Sequence, residues 1–264
     1  MKRLKRLLPV LLALCAALVA FGWDYDLKIV RYTVDSPKIT QPVRVLCLSD
    51  LHSCSYGEGQ WELLDAVNDA APDVVVLTGD IYDDVLPPGN TDTVLADLGR
   101  RYPCFYVTGN HDVFCGDAVA AHGITPLNGD ALPLVINGQD LLLCGLSDPR
   151  ESAAFAENLT ALNGQAQAAE AFTVLLSHRP ARIGQYLPGG WDLIFSGHAH
   201  GGQCRIPGLL NGLLAPDEGL FPRYAGGRYD LEGTTFVVSR GLAKESTRVP
   251  RLYNPPELVL VEIQ

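Results

Sequence analysis

Eight short apolar runs recur between residues 43 and 263, and nearly all of them stop abruptly on polar residues. They are VRVLCLSD (43–50), DVVVLTGD (73–80), CFYVTGNHD (104–112), LLLCGLSD (141–148), TVLLSHRP (173–180), DLIFSGHAH (192–200), TFVVSRG (235–241) and LVLVEI (258–263). Runs this short, rich in Val and Leu and bounded by turn signals, read as buried strands. Their near-continuous hydrophobicity calls for sheets covered on both faces. Helical patterns fill several of the gaps, at 60–71, 91–101, 115–122 and 151–171, the last rich in Ala, Glu and Gln. Strands alternating with helices place the chain in the α/β class, with mixed sheets. The stretch 207–233 is full of Gly and Pro without a period, and reads as loops with a hairpin. No repeat of solenoid period is evident. Residues 42–264 are therefore expected to form one domain.

The first 22 residues differ from the rest. MKRLKR precedes the apolar LLPVLLALCAALVAFGW, the order of a secretory signal or a signal anchor. An uncleaved anchor is the favoured reading, because no strong small-residue cleavage site follows the apolar run. The basic end would stay in the cytoplasm, leaving the body at the cell membrane on its extracytoplasmic side. Residues 23–41 read as a linker containing a short strand in LKIVRYTV. Without its four basic N-terminal residues, the chain has 16 basic and 30 acidic side chains, a net of −14. An acidic body with no Lys/Arg-rich run argues against nucleic acid as a partner. It makes an anionic substrate depend on local positive charge.

The ends of the runs hold the chemistry. If these strands are neighbours, the loops at their carboxyl ends meet in one crevice. That gathers Asp50, His52, Asp80, Asn110, His111, Asp112, His178, His198 and His200, including five of the six histidines. Only His122 falls outside. Asp and Asn at strand ends also cap helices, but capping does not call for histidine and does not explain His-Ala-His. Mixed Asp, His and Asn ligands suit a first-row divalent ion such as Mn, Fe, Zn or Co. There are too many for one ion, and two ions sharing a carboxylate would use them all. The pairs Asp50/His52 and His198/His200 are spaced i, i+2, which in extended chain points both side chains the same way. Glycines at 197, 201 and 202 allow tight turns and close approach.

The order DLH, GD, GNHD, H and GHxH resembles the calcineurin-like metallophosphoesterases. The resemblance covers about residues 43–264. GHAHGGQCRIP and the ending RLYNPPELVLVEI are similar to a membrane-associated bacterial branch that includes YkuE and YaeI. The resemblance implies a four-layer α/β/β/α sandwich, with two divalent metal ions at one sheet edge. It implies that one ion takes Asp50, His52 and His200, that the other takes Asn110, His178 and His198, and that Asp80 bridges. It places His111 beside the substrate as a catalytic residue, hydrogen-bonded to Asp112. Asp83 is either a partner of the ligands or a solvated acid. Arg179, Arg205 and Arg240 are ion-pairing residues that could instead contact phosphate.

The implied reaction is hydrolysis of a phosphoester by a metal-bridging hydroxide, with His111 protonating the leaving oxygen. The anchor suggests a phosphodiester or pyrophosphate of membrane or envelope origin, a lipid-linked one included. A broad phosphomonoesterase would use the same centre. The complete ligand set and His111 weigh against a non-catalytic metal-binding scaffold. The acidic body weighs against a nuclease.

Overall fold

Side chains alternate along the central strands, and the alternation assigns each residue to one of two apolar layers. The computed structural model describes residues 19–112, 115–150, 152–244 and 249–264. In chain order the strands are β1 (Lys28–Val34), β2 (Val43–Leu48), β3 (Val74–Leu77), β4 (Cys104–Tyr106), β5 (Thr125–Pro126), β6 (Asp130–Ile136) and β7 (Gln139–Leu146). They continue as β8 (Phe172–Ser177), β9 (Leu193–Ser196), β10 (Leu214–Ala215), β11 (Gly219–Leu220), β12 (Gly227–Leu231), β13 (Thr234–Val238) and β14 (Glu257–Ile263). One six-stranded sheet has the order β1-β14-β2-β3-β4-β5, and a second has β12-β13-β9-β8-β7-β6. Strands β10 and β11 form a separate hairpin inside the Gly- and Pro-rich stretch.

Val45, Cys47, Val74 and Val76 of the first sheet pack against Val174, Leu176, Phe195 and Val237 of the second. Their neighbours in sequence, Leu46, Leu48, Val75 and Leu77, face outward onto Leu63, Val67, Val94 and Leu98. Those last four belong to the helices Trp61–Ala70 and Gly89–Arg101. On the far side, Leu175, Ile194 and Phe236 pack on Leu159 and Leu162 of the helix Phe155–Ala168. The result is helix, sheet, sheet, helix. Both faces of each sheet are covered, which is why the strands read as unbroken apolar runs.

The parallel pairings bring the polar ends together. Leu48 lies opposite Leu77, and Leu77 opposite Tyr106, so β2, β3 and β4 end side by side. In the second sheet Leu146 lies opposite Ser177, and Val238 opposite Ser196. The polar segments after these strands all leave from corresponding edges of the two sheets.

Residues 28–34, within the segment expected to be a linker, form the edge strand β1, parallel to β14 along its whole length. The expected membrane segment falls mostly on residues 1–18, outside the described residues. Among the described residues no helix is long and apolar enough to cross a membrane.

Candidate metal centre

Two sets of ligand atoms meet where the strand ends converge. Asp50, His52 and His200 form one set, and Asp80, His178 and His198 the other; within each, the atoms lie within 4.8 Å of one another. All six side chains are buried. Asp80 Oδ2 is 3.1 Å from His178 Nε2 and 3.7 Å from His52 Nε2, so one carboxylate faces both sets. Asn110 is half-buried at the border, its Oδ1 accepting from Arg179 at 3.4 Å.

The backbone here is unusual. Asp50, His52, Asp80, His198 and His200 have φ of 51°, 48°, 52°, 66° and 47°. Left-handed backbone costs a non-glycine residue roughly 1–3 kcal/mol and persists only where the surroundings impose it. The expectation that extended chain aligns each i, i+2 pair is therefore corrected: both pairs lie in left-handed turns. The middle residues, Leu51 and Ala199, are buried in the two helix-side layers. Asp50 and His52 join the same set, whereas His198 and His200 divide between the two.

Hydrogen bonds fix the rings. His178 Nδ1 donates to the Thr78 carbonyl (2.8 Å), and His52 Nδ1 pairs with Asp83 (3.1 Å). His198 Nε2 pairs with Asp217 (3.1 Å). Each bond holds the proton on the outer nitrogen and turns the other nitrogen's lone pair inward, as metal-ligating imidazoles require. Asp50 accepts from Ser49 Oγ (2.5 Å) and from the His198 amide (3.0 and 3.1 Å). Asp83 is thus a partner of a candidate ligand.

The donor set fits a pair of cations. His52 Nε2 and His200 Nδ1 are buried without a hydrogen-bond partner. A buried polar atom left unpaired costs about 1–3 kcal/mol; a cation would satisfy His52 Nε2, while His200 presents its other nitrogen, Nε2, to Asp50 Oδ1 at 3.7 Å. In the other set three acceptors converge, since His178 Nε2 is 3.0 Å from His198 Nδ1 as well as 3.1 Å from Asp80. Such a point needs positive charge. Burial lowers the basicity of His178, but the Asp80 carboxylate overrides it and carries the ring up to about 10. Burial, then the charge on His178, pushes His198 down to about 3.

His111 lies at the rim, its side chain 37% exposed, with its amide on Asp80 Oδ1 (2.8 Å) and its Nδ1 on Asp84 (2.6 Å). The expected bond from His111 to Asp112 is corrected. Asp112 is fully buried and turned inward, accepting from the amides of Tyr82 (2.9 Å) and Gly109 (3.1 Å). Burial, then the Asp80 charge, raises Asp112 to about 7. It braces the loop that carries Asn110 and His111. His122 lies apart, paired with Asp92 at 3.3 Å.

Three acids escaped the sequence reading. Asp148 grips Arg179 through two hydrogen bonds of 2.5 and 3.1 Å. Its signal was present, because the fourth run stops on SD as the first does. Asp84 had no such signal. Neither had Asp217, from the turn between β10 and β11, which meets both Arg179 and His198.

A family model described as calcineurin-like phosphoesterase matches residues 43–202. The chain is 28% identical to the phosphodiesterase YaeI of Escherichia coli, covering 84% of this chain and 82% of that one. It is 26% identical to the uncharacterized metallophosphoesterase YkuE of Bacillus subtilis, covering 84% and 79%. Among solved structures it resembles a 5'-nucleotidase precursor from Thermus thermophilus, with a TM-score of 0.50 at 17% identity. That match covers 77% of this chain and half of the other, and it speaks for the fold alone.

Proposed function

The chain belongs to the calcineurin-like phosphoesterase family and is a metal-dependent phosphoester hydrolase, and from that premise we propose that it cleaves phosphodiesters or pyrophosphates of membrane or envelope origin. The observation that carries the reading is the pair of three-residue ligand sets faced by one carboxylate, Asp80. Asp50, His52 and His200 would hold one divalent ion of the Mn, Fe, Zn or Co kind, and Asn110, His178 and His198 the other, with Asp80 between them. Such a pair, when bound, polarises the phosphoryl oxygens and makes water nucleophilic at neutral pH.

The chain's own groups do the rest. Asp83, the Thr78 carbonyl and Asp217 keep the ring protons off the inward nitrogens. His111, partly exposed and held by Asp84, is placed to protonate a leaving oxygen. Asp112 acts through the loop it braces and touches no substrate. The diester preference is supported by the Escherichia coli relative, which is a phosphodiesterase by name. A lipid-linked substrate is supported by the hairpin that delivers Asp217, beside which Leu220 and Phe221 are each 65% exposed, and by the preceding turn, where Leu209 is 81% exposed. The basic and apolar N-terminus supports attachment to the membrane with the domain outside.

Turnover of bis(p-nitrophenyl) phosphate with added Mn is expected to exceed that of p-nitrophenyl phosphate, and a chelator is expected to abolish both. Turnover that survives chelation would refute the metal-dependent mechanism. His111→Ala is expected to keep its metal while kcat falls roughly 10²- to 10⁴-fold, the usual contribution of a positioned acid. Metal loss in that variant equal to the loss in Asp80→Ala would remove His111 from this role.

A further inference from the structure

The carboxyl ends of β7 and β8 carry three arginines that the centre itself does not employ. Arg150 follows β7, while Arg179 and Arg182 follow β8, its parallel neighbour. Together with Gln185 and Asp217 they line a cleft of about 470 Å³. The cleft adjoins the centre through two of its lining residues: Asp217 is 3.1 Å from the outward Nε2 of His198, and Arg179 is 3.4 Å from Asn110 Oδ1. Arg179 is 5% exposed and is fixed by Asp148 and Asp217.

The other two guanidiniums are not spent in this way. Arg182 lies over the Phe155 ring, 5.1 Å from its centre, and Arg150 is exposed. Neither has an acidic side chain as partner among the described residues. Three cations against the carboxylates of Asp148 and Asp217 leave this wall positive, in a chain whose net charge is −10. A guanidinium over a ring and without an acidic partner keeps its N–H fork free, and that fork matches the oxygens of a phosphate. A cleft that adjoins the centre and is lined with such forks suits an anion joined to the phosphate being cleaved.

We propose that this cleft binds a second, non-scissile phosphate, so that the preferred substrate is a pyrophosphate compound. The inference rests on the phosphoesterase reading above and narrows its substrate class. In the reaction, the oxygen of water forms a bond to the phosphorus at the centre and the bond from that phosphorus to the bridging oxygen breaks. The second phosphate leaves with the bridging oxygen and its electron pair, and that oxygen takes up a proton. Arg150 and Arg182 neutralise the charge that develops on the leaving phosphate.

The test compares kcat/KM, with Mn present, for bis(p-nitrophenyl) phosphate, diadenosine diphosphate and farnesyl diphosphate. The last two represent a nucleotide and a lipid source of the same chemistry. In the double variant Arg150→Ala, Arg182→Ala, the ratio of diphosphate to bis(p-nitrophenyl) phosphate turnover is expected to fall at least tenfold, and the diphosphate that shows the fall identifies the source. An unchanged ratio for both diphosphates overturns the proposal. Wild-type turnover of bis(p-nitrophenyl) phosphate without turnover of either diphosphate also overturns it, while leaving the phosphoesterase reading standing. No turnover of any of the three overturns that reading instead.

Discussion

Replacing Asp80 with alanine is expected to strip metal from both ligand sets and to lower turnover roughly 10³-fold or more, because losing even an outer partner of a ligand costs 10- to 100-fold. The carboxylate has three tasks. Its Oδ2 faces His178 at 3.1 Å and His52 at 3.7 Å, and its Oδ1 accepts the His111 amide at 2.8 Å. Burial alone would favour its neutral form, but His178 and then His52 hold it well below the ordinary carboxylate range. It is therefore charged at neutral pH, and the stability it lends is lost only as pH falls through its depressed value. Asp80→Asn separates the tasks. The amide oxygen can still receive the His111 N–H, so the loop should fold, but the negative charge between the two sets is gone. Metal content of the purified proteins, read beside their melting temperatures, gives the answer. Asp80→Asn should melt near wild type and carry little metal. A full metal complement in Asp80→Ala would show that the carboxylate does not join the two sets.

Much of this centre was legible because each proposed ligand directly follows an apolar run. A strand that stops on SDLH or SGHAH says both where its side chains emerge and what they are. The order of the sheets then follows from which runs pair, and parallel pairing brings their ends to a common edge. What the sequence hid is direction within a turn. The family resemblance implied a bond between His111 and Asp112, its neighbour in the chain. The loop instead turns Asp112 into the core and His111 out toward Asp84. The left-handed φ at five candidate ligands is equally invisible, since Asp and His carry no mark of it as glycine does. Asp217 was hidden for another reason: it lies in an aperiodic stretch, and only the folded hairpin brings it to His198. Strand β1 depends on β14, from the opposite end of the chain, so its pairing had no local signal.

Gly197→Ala is expected to cost about 1–3 kcal/mol of stability, as overpacking of a tight site does, and to lower kcat/KM about 10²-fold, the penalty for misplacing a reacting group by about 1 Å. The glycine sits where the end of β2 in one sheet meets the end of β9 in the other. A Cβ there would overlap Ser49 Oγ and stand 2.5 Å from Asp50 Oδ2. Neither neighbour can yield easily. Ser49 Oγ is committed to Asp50, and the Asp50 carboxylate already receives the His198 amide. The Gly197 amide is committed too, donating to the His178 carbonyl at 3.1 Å. An added methyl must therefore push Asp50 away from His52 and His200, or lift the His198 turn from its anchor; either motion opens a ligand set. Gly184→Ala is the fitting control, because a Cβ there meets nothing within 4 Å. It should melt within about 0.5 kcal/mol of wild type, as surface substitutions usually do. Wild-type metal content and kcat/KM in Gly197→Ala would mean that the two sheet edges can separate without disturbing Asp50, and the close approach of β2 and β9 would then have no part in shaping the centre.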